Sequence, residues 1–404
     1  MSRFQTSNED IRRHFYGPIL RAEDQRAMVE LVERKQLSIR DSSGVIAEFE
    51  ALFSQIYPDR FCQLCTSGTN AIFAAMAGLE LKAGDKIVFP RFGFHACVMP
   101  ARLLGLDVVL ADVTTEDLLL DPQALKACVG PQTKAVFVLH LFGKAVDMSP
   151  VLALQEQHGF ALIEDCSHAF MARNRDRLVG SLGDVAVCSF QQNKMIACGE
   201  GGVLWARDKR VIDRVRQLAY PGAPLVPGAG GFQGISFGLK FRPHPLVAWL
   251  ATNQIHKRDV LLRTHAAARR ELSAFLAREC GFELMQQPRQ GDVVAGYCYV
   301  KFRTPSTWDD ARLEAFRAAV GEKGRLVKAE HFQDLSELPG AAPFSFGHHR
   351  KAAQDRPPES PLKPHIRRQF GIRLPMDEDA DRTRAFYKKD LELLKGLVLT
   401  GRAG

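Results

Sequence analysis

Between Phe61 and Ala206 the chain alternates short apolar runs with segments whose apolar residues recur at helical spacing. The runs ending at Thr66, Lys86–Pro90, Asp107–Leu110, Lys134–His140, Phe160–Asp165, Asp184–Phe190 and Gly202–Ala206 lack the strict polar alternation of a strand with one wet face. Such runs mark strands buried on both sides. Helical segments separate them: an Ala-rich one from about Asn70, then Ala96–Leu104, Pro122–Cys128 and Ser149–His158. The pattern predicts an α/β domain with a mostly parallel sheet covered on both faces. In such sheets ligands bind beyond the carboxyl ends of the strands.

The flanks read differently. Residues 1–35 are helical in pattern, with helical spacing clearest over Arg21–Arg34, and the polar link Ser38–Gly44 leads to a second helix carrying Phe49, Leu52 and Ile56. A long helix is expected from about Leu246 to Leu276. Near residue 270 the texture changes to a strand candidate, Tyr297–Phe302, with helices at Asp309–Val320 and Asp381–Leu397. Pro339–Pro364, rich in Pro, Ser, His and Arg, reads as a surface loop or flap. The expected organisation is an N-terminal helical segment (1–35), a large cofactor-binding domain (36–260) and a small α+β C-terminal domain (261–404).

Composition narrows the function classes. The 404 residues are 46% hydrophobic, ample for a large core. A net charge of +8 favours anions such as phosphates, but the basic residues are dispersed and form no nucleic-acid stripe. The first residues have no apolar signal region and no apolar run reaches membrane-spanning length, so a cytoplasmic protein with no membrane partner is expected. Nine cysteines at irregular positions suit reduced core thiols. The pair Cys62 and Cys65 has no second pair or nearby histidines to complete a metal site.

The chemistry centres on Val187–Gly202, where an apolar run ends at Ser189 and Phe190, three amide side chains follow, and then a single lysine, Lys194. The small-residue turn Gly199-Glu-Gly-Gly202 returns the chain to another strand. Upstream, Asp165 closes the apolar run Phe160–Asp165. A loop lysine and a strand-end carboxylate are the two polar groups that pyridoxal 5′-phosphate requires. The lysine holds the cofactor as a Schiff base, and the carboxylate pairs with its ring nitrogen. At Ser67-Gly-Thr69 a strand meets a helix N-terminus, where a phosphate fits, although taken alone the motif reads more readily as an ordinary N-cap at Ser67 or Thr69. Thr66–Thr69, Phe92–His95, His140, Asp165 and Ser189 all follow apolar strands and converge on one sheet edge. Gly228–Gly234 follows Pro-rich sequence rather than a strand, so it is no dinucleotide fingerprint.

Taken in order, Ser67-Gly-Thr69, Glu164-Asp-Cys-Ser-His168, Gly183-Asp184, Ser189–Lys194 and Gly199–Gly202 resemble the DegT/DnrJ/EryC1/StrS family of pyridoxal-phosphate-dependent sugar and cyclitol aminotransferases. The likeness is clear over residues 30–260 and looser beyond. It implies the aspartate-aminotransferase-like fold and a homodimer with shared active sites. It implies Lys194 as the Schiff-base lysine, Asp165 as the ring-nitrogen partner and His168 near the cofactor's phenolic oxygen. Gly68, Thr69 and Ser189 match phosphate contacts, and Phe94 the stacking aromatic. One departure stands out: Gly238-Leu-Lys-Phe-Arg-Pro243 places Lys240 where the family usually has an asparagine that reaches the neighbouring subunit's phosphate. A lysine can meet that phosphate as a point charge, or an anionic substrate instead.

The implied activity is transfer of an amino group from glutamine or glutamate to a keto-sugar or keto-cyclitol in a biosynthetic pathway. Other readings of the same residues are a dehydration or elimination on the same scaffold, a cofactor-binding sensor without turnover, and a nucleotide-binding α/β protein. Family dehydratases replace the lysine that Lys194 matches.

Overall fold

The computed structural model describes residues 17–39, 43–220, 238–295, 299–323, 327–329, 333–337, 345–346, 362–373 and most of 391–398. Two helices, α1 (Ala22–Glu33) and α2 (Gly44–Ile56), lead into β1 (Phe61–Cys65), α3 (Gly68–Gly78), β2 (Lys86–Pro90), β3 (Phe92–Gly93), α4 (Met99–Leu103) and β4 (Asp107–Ala111). Then come α5 (Pro122–Cys128), β5 (Thr133–Leu139), α6 (Met148–His158), β6 (Ala161–Asp165), a hairpin of β7 (Arg173–Asn174) and β8 (Arg177–Leu178), β9 (Val185–Ser189), β10 (Gly202–Ala206) and α7 (Lys209–Ala219). The C-terminal part holds α8 (Pro245–His256), α9 (Arg258–Phe275), β11 (Glu283–Leu284), β12 (Tyr299–Arg303), α10 (Asp310–Lys323), β13 (Val327–Ala329), β14 (Gln333–Asp334), β15 (Ser345–Phe346), α11 (Lys363–Arg367) and β16 (Gln369–Arg373).

Eight strands form the main sheet in the order β1-β10-β9-β6-β5-β2-β4-β15. Only β10 runs against the rest: it is antiparallel to β9 and β1, while the pairs from β9 to β15 are parallel. The reason is the connection. Parallel neighbours need a crossover, whereas the loop after β9 returns directly to its neighbour. Both faces are covered, and the side chains divide between them with the period of two that strands impose. Val185, Val187 and Leu204 join one core with Phe89 and Phe137; Ala186, Cys188 and Trp205 join the other with Phe49 and Phe53. Cys62 and Cys65, three apart on β1, consequently lie in different cores.

The long helix expected over 246–276 is two. It breaks at Lys257, whose ammonium bonds Asp24 Oδ2 of α1 at 2.5 Å and the Ile19 carbonyl at 2.8 Å. Those partners lie far off in sequence, so helical periodicity carried no sign of them. Beyond α9 an antiparallel sheet, β11-β12-β16-β13, surrounds a third core of Phe282, Phe302, Trp308, Phe316 and Phe370. The Gly228–Gly234 stretch, most of Pro339–Pro364 and most of the helix expected over Asp381–Leu397 lie outside the described residues; Ser345 and Phe346 form β15. Among the described residues no helix is long and apolar enough to cross a membrane.

Candidate active site

Because β1, β2, β5, β6 and β9 share one direction, their carboxyl ends meet at one edge, and there the chain turns at Ser67-Gly68, Phe92–Phe94, His140, Asp165–His168 and Ser189. Antiparallel β10 starts from the same edge at Gly202, so the 190–201 loop stays beside it. Asp165 and Ser189 end neighbouring strands.

Asp165 is 2% exposed and its carboxylate is held from two sides. Oδ1 accepts the Ser167 N–H at 2.8 Å, and the Cys97 thiol donates to Oδ2 at 3.6 Å. Behind it, on the opposite face of β6, Glu164 is fully buried. Its two oxygens accept the N–H groups of Gly180 and Leu182, each at 2.9 Å, and of Gly183. His140 Nε2 is 3.1 Å from Glu164 Oε2, while its Nδ1 accepts the Val146 N–H at 3.0 Å. A ring nitrogen that accepts from the backbone carries no proton, so the imidazole donates through Nε2 to an ionised Glu164. Burial pushes the Glu164 carboxyl up, but the hydrogen bonds from His140, Gly183 and Gly180 outweigh it and hold the group below the usual carboxylate range. The His140 backbone N–H bonds the Asp165 carbonyl at 3.1 Å, which ties this buried pair to the carboxyl end of β6.

Lys194 is partly buried on the return loop. The loop is closed by Phe190 N–H to the Gly201 carbonyl, Gln192 N–H to Gly199 and Cys198 N–H to Phe190, at 2.8–2.9 Å. Met195 and Ile196, directly after the lysine, are buried in the core beneath. This apolar plug holds the lysine's backbone at the sheet edge. The start of α3 lies across both ends of the loop. A Cβ on Gly68 would fall 2.6 Å from Ser189 Cβ, and one on Gly202 would fall 2.6 Å from the Ser67 carbonyl carbon. Ser67 caps the helix by accepting the Asn70 N–H at 3.1 Å, Gly68 is buried, and Thr69 is exposed at the opening. Ser189 and the first turn of α3 thus form one cradle with the polarity for an anion. Gly68→Ala is expected to push the helix start off Ser189, at about 1–3 kcal/mol of stability, and to weaken phosphate-bearing cofactor binding at least about tenfold. Equilibrium dialysis with cofactor checks this; unchanged affinity would remove the cradle from the site.

Phe94 is 41% exposed and begins the short turn His95–Cys97, its ring centroid 4.4 Å from that of His95. That turn is bracketed from the C-terminal part of the chain. β14 pairs with β3, the Leu335 N–H bonds the Arg91 carbonyl at 2.8 Å, and Arg91 Nε meets the fully buried Asp334 at 2.8 Å. His168, buried, packs its ring 5.8 Å from Phe142, over which Lys301 of β12 places its ammonium at 4.8 Å. Lys240 stands on another part of the chain. It is exposed, its N–H reaches the Leu218 carbonyl at 3.3 Å, and its φ of +52° is the left-handed conformation that asparagine tolerates better than lysine. No hydrogen bond among the described residues ties it to Asp165, Ser189 or Lys194.

Sequence reading missed Cys97, Ser167, the Glu164 nest and the Arg91–Asp334 bracket. Glu164 alone left a signal, being a charged residue inside a buried strand. Cys97 and the Arg91–Asp334 bracket depend on contacts between separate elements, whereas the Ser167 N–H reaches Asp165 from two residues further along the chain.

The sheet order, the lysine loop beside a carboxylate-ended strand, and the second antiparallel sheet define the aspartate-aminotransferase-like fold. The crystal structure of 3-amino-5-hydroxybenzoic acid (AHBA) synthase superposes with a TM-score of 0.79, covering 96% of this chain and 98% of that one at 22% identity. A GDP-4-keto-6-deoxymannose-3-dehydratase with a trapped PLP-glutamate geminal diamine superposes at 0.77, covering 95% of this chain and 99% of that one at 16% identity. The chain belongs to the DegT/DnrJ/EryC1/StrS aminotransferase family, whose model matches residues 18–333. A similar protein is the putative L-glutamine:3-amino-2,3-dideoxy-scyllo-inosose aminotransferase of Streptomyces kanamyceticus, 28% identical over 67% of this chain and 64% of its own length. The matched stretches span 58–66% of three such relatives' own lengths.

Proposed function

We propose that this protein is a pyridoxal-phosphate-dependent aminotransferase that moves an amino group from glutamine or glutamate to a keto-cyclitol or keto-sugar. The observation that carries the reading is the meeting of three features at one edge: the Lys194 loop, the anchored Asp165 carboxylate, and the α3 cradle that admits only glycine at position 68. These fit the three chemical handles of the cofactor: aldehyde, ring nitrogen and phosphate. When bound, the cofactor supplies an electron sink for a carbanion at the donor's α-carbon.

The chain's own residues supply the rest. Lys194 Nζ would hold the cofactor covalently and, as a free amine, would move the proton from the donor's α-carbon. Asp165 keeps a proton on the ring nitrogen. Gly68, Thr69 and Ser189 receive the phosphate, Phe94 stacks on the ring, and His168 lies near its phenolic oxygen. Lys240 serves the phosphate of a neighbouring subunit in a homodimer; its exposure within one protomer supports that placement. The glutamine:scyllo-inosose relatives support glutamine as donor and a cyclitol as acceptor. The named GDP-perosamine synthases support the sugar alternative. The eight described cysteines, all free and buried, support a reducing compartment such as the cytoplasm.

The test is an absorbance spectrum of the purified protein, before and after glutamine and then glutamate. A cofactor band that changes with one donor, with release of one equivalent of keto acid, is expected. A band indifferent to every donor, or none after added pyridoxal phosphate, would overturn the reading. Lys240→Asn, measured alongside, is expected to retain the cofactor, whereas Lys240→Ala is expected to lose it more readily.

A further inference from the structure

We propose that Cys97 is a positioning residue for the Asp165 carboxylate, its S–H holding Oδ2 while the Ser167 N–H holds Oδ1. The inference rests on the aminotransferase reading, which makes Asp165 the partner of the cofactor's ring nitrogen.

The geometry is specific. Cys97 closes the short turn that begins at Phe94, with its N–H on the Phe94 carbonyl at 3.0 Å, so the stacking ring and the thiol belong to one rigid turn. Only 6% of Cys97 is exposed, and its sulfur lies 3.6 Å from Oδ2. The charge of Lys194 also acts on this sulfur, in the sense opposite to that of Asp165. Burial first, and then the Asp165 charge, push the thiol well above the ordinary cysteine range, with Lys194 opposing. The sulfur therefore keeps its proton and acts as a donor.

That donor matters because a strand-end carboxylate with one fixed oxygen can still rotate about its own bond. The Ser167 N–H restrains Oδ1, and the thiol restrains Oδ2, so the group is aimed before any ligand arrives. An S–H is a weak donor. It orients the carboxylate without competing strongly for the charge that has to hold a proton on the ring nitrogen. Asp165 ends β6 and Cys97 belongs to the turn after β3, which β14 brackets from the far part of the chain. Through Cys97 that bracket bears on the carboxylate as well as on Phe94.

The test is a double-mutant cycle on cofactor affinity, measured by equilibrium dialysis of apo-protein with pyridoxal phosphate. The set is wild type, Cys97→Ala, Asp165→Asn and the double variant. Melting curves confirm folding, and Cys97→Ser is included as a donor of similar size. Cys97→Ala is expected to weaken binding about three- to tenfold with Asp165 present, on the scale of one lost weak hydrogen bond to a charge, and to add nothing once Asp165 is Asn. Cys97→Ser is expected to recover part of the loss. In turnover assays the Cys97→Ala defect should fall on kcat rather than on KM for the acceptor. An equal loss in both Asp165 backgrounds would make Cys97 mere packing and overturn the inference, as would unchanged affinity in a folded Cys97→Ala. If Cys97→Ala does not fold, a Cys97→Ser protein whose affinity and kcat match Cys97→Val overturns it instead. Absence of bound cofactor in the wild type would fail the underlying reading, an outcome distinct from any result within the cycle.

Discussion

Replacing Lys194 with alanine is expected to abolish transamination, lowering turnover by at least about a thousandfold, the scale of a lost positioned acid–base group. The covalent link to the cofactor is expected to disappear, leaving weaker non-covalent retention through the α3 cradle and Asp165. The fold should survive, because the loop is held by the buried Met195 and Ile196 and by the backbone bonds between Phe190 and Gly201. Three measurements together check this: the visible absorbance, borohydride reduction followed by mass of the labelled peptide, and turnover with glutamine. A folded variant that still turns over within about tenfold of wild type would place the proton transfer elsewhere.

The largest effect on stability is expected away from the reacting groups, at Glu164. Glu164→Ala removes an anion that satisfies three backbone N–H groups and the His140 ring in a fully buried setting. Each of these buried donors left without an acceptor costs about 1–3 kcal/mol. The loss should reach the site through His140, whose backbone is bonded to Asp165. The same carboxyl carries a pH signature. Its folded-state value lies below that of the unfolded chain, about 4.3 for an unperturbed glutamate. Its contribution is therefore complete above that pH and is lost as pH falls through the lower folded value. Denaturant melts from neutral pH down to pH of about 3 are expected to show a shallower acid loss in Glu164→Ala than in wild type. Parallel slopes would mean that the acid sensitivity arises at other carboxylates, such as Asp117 or Asp24, which ion pairs also hold low.

How far the site was legible depended on the kind of signal each residue leaves. Asp165 and Ser189 end uninterrupted apolar runs, and Lys194 is the one cation in a loop flanked by amides and glycines. Runs of that kind are local facts. A parallel sheet turns them into spatial ones, since all its carboxyl ends share an edge. Cys97 left no such mark: a cysteine amid apolar residues reads as core, and burial alone agrees with that. Its contact with Asp165 spans 68 positions and exists only because β2 and β6 both flank β5. Asp334, 243 positions from Arg91, was further still from view.

By itself, the sequence determined the α/β class and the strand ends at which the candidate site residues lie, because periodicity, turn residues and strand ends are written in neighbouring positions. The tertiary structure decided which way β10 runs, where the helix at 257 breaks, and that Cys97 meets Asp165 and His140 meets Glu164. Those outcomes follow from pairings between distant segments, where one hydrogen bond or one close approach, such as Gly68 on Ser189, selects among arrangements that local patterning leaves equal.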